Sequence, residues 1–212
     1  MIQSGKFDSS NMDIKKLGNS VLFFAIKKLI EISSILVSVL GILLFIALIS
    51  YSPNDPNFIF PDNTEISNLL GFQGSYTSDL FFQSIGFISY LIPLTYILTG
   101  INIFKSKKIL LLIENSFFIV LYCLIGSVFF NFYYNDTFSL YINGSGGFVG
   151  NYLNKTFFND IFNSYQNIFY YLIFFLTIIF FLLSVNFKTK NFLLVLKKFL
   201  QMITNKEKKN YT

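Results

Sequence analysis

The chain has 212 residues, 53% of them hydrophobic and 20% aromatic against only 13% charged, and carries a formal net charge of +5. Soluble domains hold about a quarter charged residues, so a chain with 29 Phe has too few polar side chains to cover a water-facing surface, which excludes a soluble enzyme. A single cysteine, Cys123, and no histidine remove intramolecular disulfides, cysteine-based metal sites and the commonest proton shuttle; no cofactor is expected.

In chain order, residues 1–31 form a tail carrying Lys6, Lys15, Lys16, Lys27 and Lys28, followed by a first uncharged window at 32–51. A cleaved signal sequence would place a shorter apolar run, of about 7 to 15 residues, close to the start, so this window reads as a retained span. Residues 52–79 form a loop, and the second window runs 80–104. A tight connection with Lys105, Lys107 and Lys108 leads to the third window at 115–135, then a loop at 136–160. The fourth window, 161–187, contains a span at about 165–187 and precedes a basic tail, 188–212. Each window can cross about 30 Å of hydrocarbon as a helix. The expected fold is all-α: a polytopic membrane protein with a four-transmembrane-helix bundle over residues 32–187.

Of the 16 lysines, all but Lys155 fall in the two tails and the 105–108 connection, while the loops at 52–79 and 136–160 hold six acids. By the positive-inside rule both termini are cytoplasmic and those loops face outward, in a multi-pass membrane protein. The lipid bilayer is then the direct partner, and lysines that flank lipid account for the charge without nucleic-acid binding. In the last tail Phe192, Leu196, Phe199, Leu200 and Ile203 recur at helical spacing, which predicts an amphipathic helix on the cytoplasmic interface.

Few residues suggest chemistry. Glu114 lies six residues after Lys108, about 9 Å along a helix, so its carboxylate reaches the interface; Glu31, at the mouth of the first span, reads the same way. Residues 144–150 are glycine-rich but lack the Lys-Ser/Thr that a phosphate loop requires, which leaves a flexible turn. Small residues mark packing faces: Ser34, Ser38 and Gly41 in the first span, and Gly86, Ser89 and Pro93 in the second. Pro93 removes a backbone donor and is expected to kink its helix. The fourth span, nearly all Phe, Leu and Ile, is expected to face lipid.

The end of the first span is more specific. Ser50-Tyr51-Ser52-Pro53-Asn54-Asp55-Pro56 resembles the Ser-Tyr-x-Pro-x-Asp-Pro signature that closes the first transmembrane helix of the FtsK/SpoIIIE DNA translocases. Asn68, Gly71, Gly74 and Asp79 resemble that family's lead-in to its second helix, and Gly86, Tyr90, Pro93 and Gly100 the helix itself. Gly146, Gly147 and Gly150 match a glycine-rich turn before the fourth. The resemblance implies a membrane anchor that recruits a translocase to the division septum, contacts other division proteins and forms a homo-oligomer when attached to a motor. The 212 residues contain no Walker motif, so the expectation is an anchor without its ATPase motor, whether a truncation, a split gene or a stand-alone protein. The rival reading is a small four-helix transporter subunit, or an accessory subunit of a membrane complex, which interior charges or paired broken helices would favour.

Overall fold

The computed structural model describes residues 4–56, 65–134, 143–158 and 166–187, with side chains from residue 16 onward. Within these residues there is no strand, and four helical segments are long and apolar enough to cross a membrane. Hydrocarbon offers the backbone no hydrogen-bond partner, so an uncharged window that enters it must pair its own N–H and C=O groups as a helix. The expected tail helix at 188–212 lies outside the described residues.

Helix α1 spans Ser4–Ile49, about 69 Å at 1.5 Å per residue. It therefore starts well before the uncharged window, because the lysines at 27 and 28 interrupt hydropathy without interrupting helix propensity. It stops where Pro53 and Pro56 can no longer supply N–H donors. Helix α2, Gly71–Ile85, begins inside what the sequence reads as loop, and a 3₁₀ segment, Gly86–Tyr90, joins it to α3, Leu91–Ser106.

The break in this second apolar stretch sits at Gly86, whose φ is 72°, and not at the expected Pro93. Pro93 is the third residue of α3, just past the point where the 3₁₀ segment passes into α-helix, so its missing N–H falls at an existing irregularity and not in the middle of a regular helix. Lys107, at φ 59°, closes α3 in the left-handed conformation and donates its N–H to the Ile103 carbonyl at 2.7 Å.

Helix α4 spans Leu111–Tyr133. The glycine-rich segment read as a flexible turn instead opens a short helix, α5, Gly147–Leu153, which runs on as a π-helical turn, Asn154–Phe158. The last span, α6, covers Gln166–Ser184.

Helix α1 packs along α3, α3 along α4, and α4 along α6, with α1 reaching neither α4 nor α6 among the described residues. The central α3 therefore links two pairs. One end of the bundle carries Lys105, Lys107 and Lys108 and is termed the lysine end; the opposite, where α2 and α5 sit, is the glycine end. The core between α3 and α4 holds Ile88, Ile92, Ile119, Tyr122 and Cys123. Cys123 is thus a buried apolar filler.

Candidate functional site

The glycine end is built outward from the last turn of α1, whose carbonyls lack intrahelical donors. Ser50 Oγ donates to the Ile46 carbonyl at 2.7 Å. Asn68 Nδ2 donates to the Ala47 carbonyl at 2.9 Å and the Ser50 carbonyl at 3.2 Å. A side chain 21 positions away thus caps the helix. Asn68 is itself held by Asp55, only 1% exposed, whose two carboxylate oxygens accept the backbone N–H groups of Ser67 and Asn68, each at 2.9 Å. A buried carboxylate is costly unless hydrogen-bonded, and this one receives two donors from a single strand of backbone.

Pro53 sets up that geometry. The Asp55 N–H reaches the Ser52 carbonyl at 3.2 Å, a β-turn with proline at its preferred second position, which directs the Asp55 side chain back under the helix end. Asn68 Oδ1 accepts the Leu70 N–H at 3.1 Å, and Gly71, at φ 64°, starts α2. A β-carbon on Gly74 would strike the Asn68 side chain. Ser75 Oγ donates to the Pro56 carbonyl at 3.0 Å, and the Tyr51 hydroxyl donates to Asp79 Oδ1 at 3.1 Å. Burial, followed by the Asp79 charge, pushes the Tyr51 phenol above its ordinary value, so it stays protonated and remains a donor. Tyr90 completes the clamp by donating its hydroxyl to the Leu48 carbonyl at 3.3 Å.

The remaining glycines serve a second junction. Phe87 N–H donates to the Ser145 carbonyl at 3.0 Å, and Ser127 Oγ donates to the Ile85 carbonyl at 2.9 Å. A β-carbon on Gly86 would meet the Ser145 carbonyl, one on Gly147 would meet the backbone at 84–86, and one on Gly146 or Gly150 would meet the Ser127 carbonyl. Three backbone segments approach closely here because none of these four positions bears a side chain. Gly100 does the same within the span, where α3 lies against Ser34 and Ser38 of α1.

The structure therefore brings Ser50, Tyr51, Asp55, Pro56, Asn68, Gly74, Asp79 and Tyr90 into one clamp, with Pro53 and Gly71 shaping its turns. Gly86, Gly146, Gly147 and Gly150 form the adjoining junction, while Pro93 and Gly100 stand apart on α3. Pro93 is fully buried, and its carbonyl lies beside Gly41. Glu114, in the first turn of α4, is exposed. Among the described residues no group of three metal-ligating side chains occurs.

Sequence reasoning missed a buried polar chain toward the lysine end. The Thr95 hydroxyl lies 3.1 Å from that of Tyr122 and 3.2 Å from that of Ser184. Asn115 Nδ2 donates to Thr99 Oγ1 at 2.8 Å, Asn186 Nδ2 donates to Asn115 Oδ1 at 2.6 Å, and Asn102 Nδ2 donates to the Val185 carbonyl at 3.1 Å. The available signal was the spacing of Thr95, Thr99 and Asn102, a polar stripe on one face of an apolar helix. It fastens the exit of α6 to α3 and α4, so the fourth span is more than a lipid-facing filler, although Ile173 and Ser184 are the only buried residues within α6 itself.

Comparison with known proteins bears directly on these residues. The family described as the 4TM region of DNA translocase FtsK/SpoIIIE matches residues 27–197, which includes the clamp, the glycine junction and all four spans. The chain is 31% identical over 109 residues to the DNA translocase FtsK of Rickettsia prowazekii (strain Madrid E), covering 50% of this chain and 14% of that protein. It is 30% identical over 88 residues to the FtsK of Azospirillum brasilense, covering 41% of this chain and 14% of that protein. With the FtsK of Pseudomonas putida the figures are 31% over 81 residues, 38% and 10%. The match thus spans only about a tenth to a seventh of these relatives' length. No solved structure matches the chain. With the family match covering residues 27–197 and all the motif residues but Pro93 and Gly100 gathered at one end of a four-span bundle, the chain belongs to the FtsK/SpoIIIE family, as the membrane-anchoring 4TM region of an FtsK-like translocase.

Proposed function

We propose that this chain holds an FtsK-like translocase in the cell inner membrane with both termini cytoplasmic, and that its glycine end directs it to the division septum through other division proteins. The observation that carries this reading is the family match across residues 27–197, together with the convergence of the motif residues on the Asp55–Asn68 clamp. The lysine distribution supports the orientation, because basic residues resist export across the membrane. The segment itself supplies anchoring and not catalysis: it neither hydrolyses ATP nor binds duplex DNA tightly, and it forms a homo-oligomer when joined to a motor. Among the described residues Thr95, Thr99, Asn115, Tyr122 and Ser184 are engaged with one another inside the bundle, which favours a structural role over a transport path.

Two experiments test it. A periplasm-active reporter inserted at Asn63 should be active, and the same reporter fused after Lys190 silent; the reverse pattern overturns the orientation. A fluorescent fusion with Pro53, Asp55 and Pro56 all changed to Ala should lose septal signal while remaining in the membrane fraction. Replacing residues 169–183 by a Leu/Ala helix should leave that signal in place. Normal septal signal in the triple variant assigns recruitment elsewhere.

A further inference from the structure

Lysines that flank spans usually reach water one by one, but at the lysine end two of them, Lys28 and Lys107, share one acid. Glu31 on α1, 18% exposed at its side chain, lies 2.7 Å from Lys28 Nζ and 2.9 Å from Lys107 Nζ. One carboxylate thus serves two ammonium groups, which ties α1 to the turn between α3 and α4. Lys107 is fixed from two further directions. Its backbone is the left-handed cap of α3, and its ammonium sits 4.1 Å from the centre of the Phe104 ring.

Lys105 and Lys108, on either side of it, are exposed and have no acid partner among the described residues. Lys28, Lys105, Lys107 and Lys108 therefore stand against two acids here, Glu31 and the exposed Glu114 at the start of α4, and a net positive charge remains among these residues. The adjacent surface is apolar: Phe104, Ile109 and Leu110 are 44%, 40% and 71% exposed.

We propose that this junction of α1 with the α3–α4 turn is a binding site for the phosphate of an anionic phospholipid headgroup. Charge complementarity selects an anion, and the apolar neighbours select its source. A soluble phosphate would satisfy the ammonium groups but leave Phe104, Ile109 and Leu110 uncovered, whereas a phospholipid meets both, with its phosphate among Lys105, Lys107 and Lys108 and its chains over the apolar side chains. Each lysine near an anionic lipid is worth about a fivefold gain in affinity. Glu31 acts as a positioning residue that keeps Lys107 from turning into solvent.

The test is native mass spectrometry of the full chain in detergent, titrated with phosphatidylglycerol and, separately, with phosphatidylcholine. One variant carries Lys105→Gln, Lys107→Asn and Lys108→Gln, asparagine being chosen because it tolerates the left-handed backbone. A control removes the same charge from the terminal tail, as Lys206→Gln, Lys208→Gln and Lys209→Gln. Circular dichroism establishes that both variants retain the parent's thermal transition.

Phosphatidylglycerol should bind the parent and the tail variant alike, and the turn variant at least about tenfold more weakly. Binding of phosphatidylcholine should be weak throughout and indifferent to either change. An equal loss in the tail variant would show general charge attraction and overturn the site, as would unchanged binding in the turn variant. Competition by millimolar glycerophosphate would overturn the lipid as the source of the phosphate.

Discussion

The two helix pairs joined through α3 are held in different ways. Along α1 and α3 the backbones nearly touch: Gly100 faces Ser34 and Ser38, Gly41 faces the Pro93 carbonyl, and Ser38 Oγ donates to the Ile97 carbonyl at 3.3 Å. The end of α1 is then locked by the Asp55–Asn68 clamp. Along α4 and α6 the contact is made by rings, with Phe129 5.4 Å from Tyr170 and 5.8 Å from Phe174, and Tyr133 4.8 Å from Tyr170, centre to centre. A membrane gives helices no hydrophobic reason to associate, so packing and hydrogen bonds must do it. The first pair uses shape with no slack. The second uses large side chains that adjust to one another. The family's motif residues concentrate on the first.

This contrast predicts a steep gradient of sensitivity. The largest effect should follow Asp55→Ala, which leaves the buried Asn68 N–H without an acceptor at about 1–3 kcal/mol, gives the exposed Ser67 N–H over to water and releases the cap on α1, for a total loss of about 3 kcal/mol. Denaturant unfolding in detergent, followed by circular dichroism, measures it. Asp55→Asn should lose about half as much, because the amide keeps one acceptor. A loss below about 1 kcal/mol for the alanine change would remove the clamp from the account.

Next comes Gly100→Leu, where the new side chain has no room between α3 and α1. Overpacking typically costs about 1–3 kcal/mol, and cross-linking of cysteine pairs placed on the two helices should show them separating. Cross-linking at the parent's rate would mean that the seam is looser than its glycine suggests.

Asn186→Ala tests the bond to Asn115 that fastens the exit of α6. Interhelical hydrogen bonds in membranes average about 0.6 kcal/mol and reach about 1.7; a 2.6 Å side-chain pair should fall in the upper part of that range. A double change with Asn115→Ala should cost less than the sum of the two single changes, since both remove the same bond. Strict additivity would show that the pair is not coupled.

The smallest effect is expected for Phe174→Leu in the ring-packed pair, below about 1.5 kcal/mol in thermal unfolding, since a similar apolar volume can be accommodated by neighbouring rings. If this change proves as damaging as Gly100→Leu, the difference between the two pairs is not one of tolerance.

Hydropathy sufficed for the number of spans, because any long uncharged run in hydrocarbon has only the helix to satisfy its backbone. It could not place the break in the second one. Pro93 is the obvious breaker in the sequence, yet its effect depends on which turn it occupies, and Gly86 instead takes the positive φ because Ser145 and Gly147 press against it. Helices α1 and α2 also extend beyond the windows bounded by charge, since helix propensity continues through Lys27 and Lys28 and through the polar start at Gly71.

The motif residues at 50–56 and 68–79 were visible as a pattern, but their joint purpose was not. That purpose is a set of hydrogen bonds between segments 12 to 28 positions apart, and no local rule links a carboxylate to a backbone N–H at that separation. The sequence alone thus determined that the chain lives in a bilayer, how often it crosses, and that its two ends differ in charge, since each of these depends on composition summed over a window. Which side chains meet was decided only by tertiary structure, because Asp55 finding Asn68, or Thr95 finding Ser184 89 positions on, depends on how the helices are laid against one another.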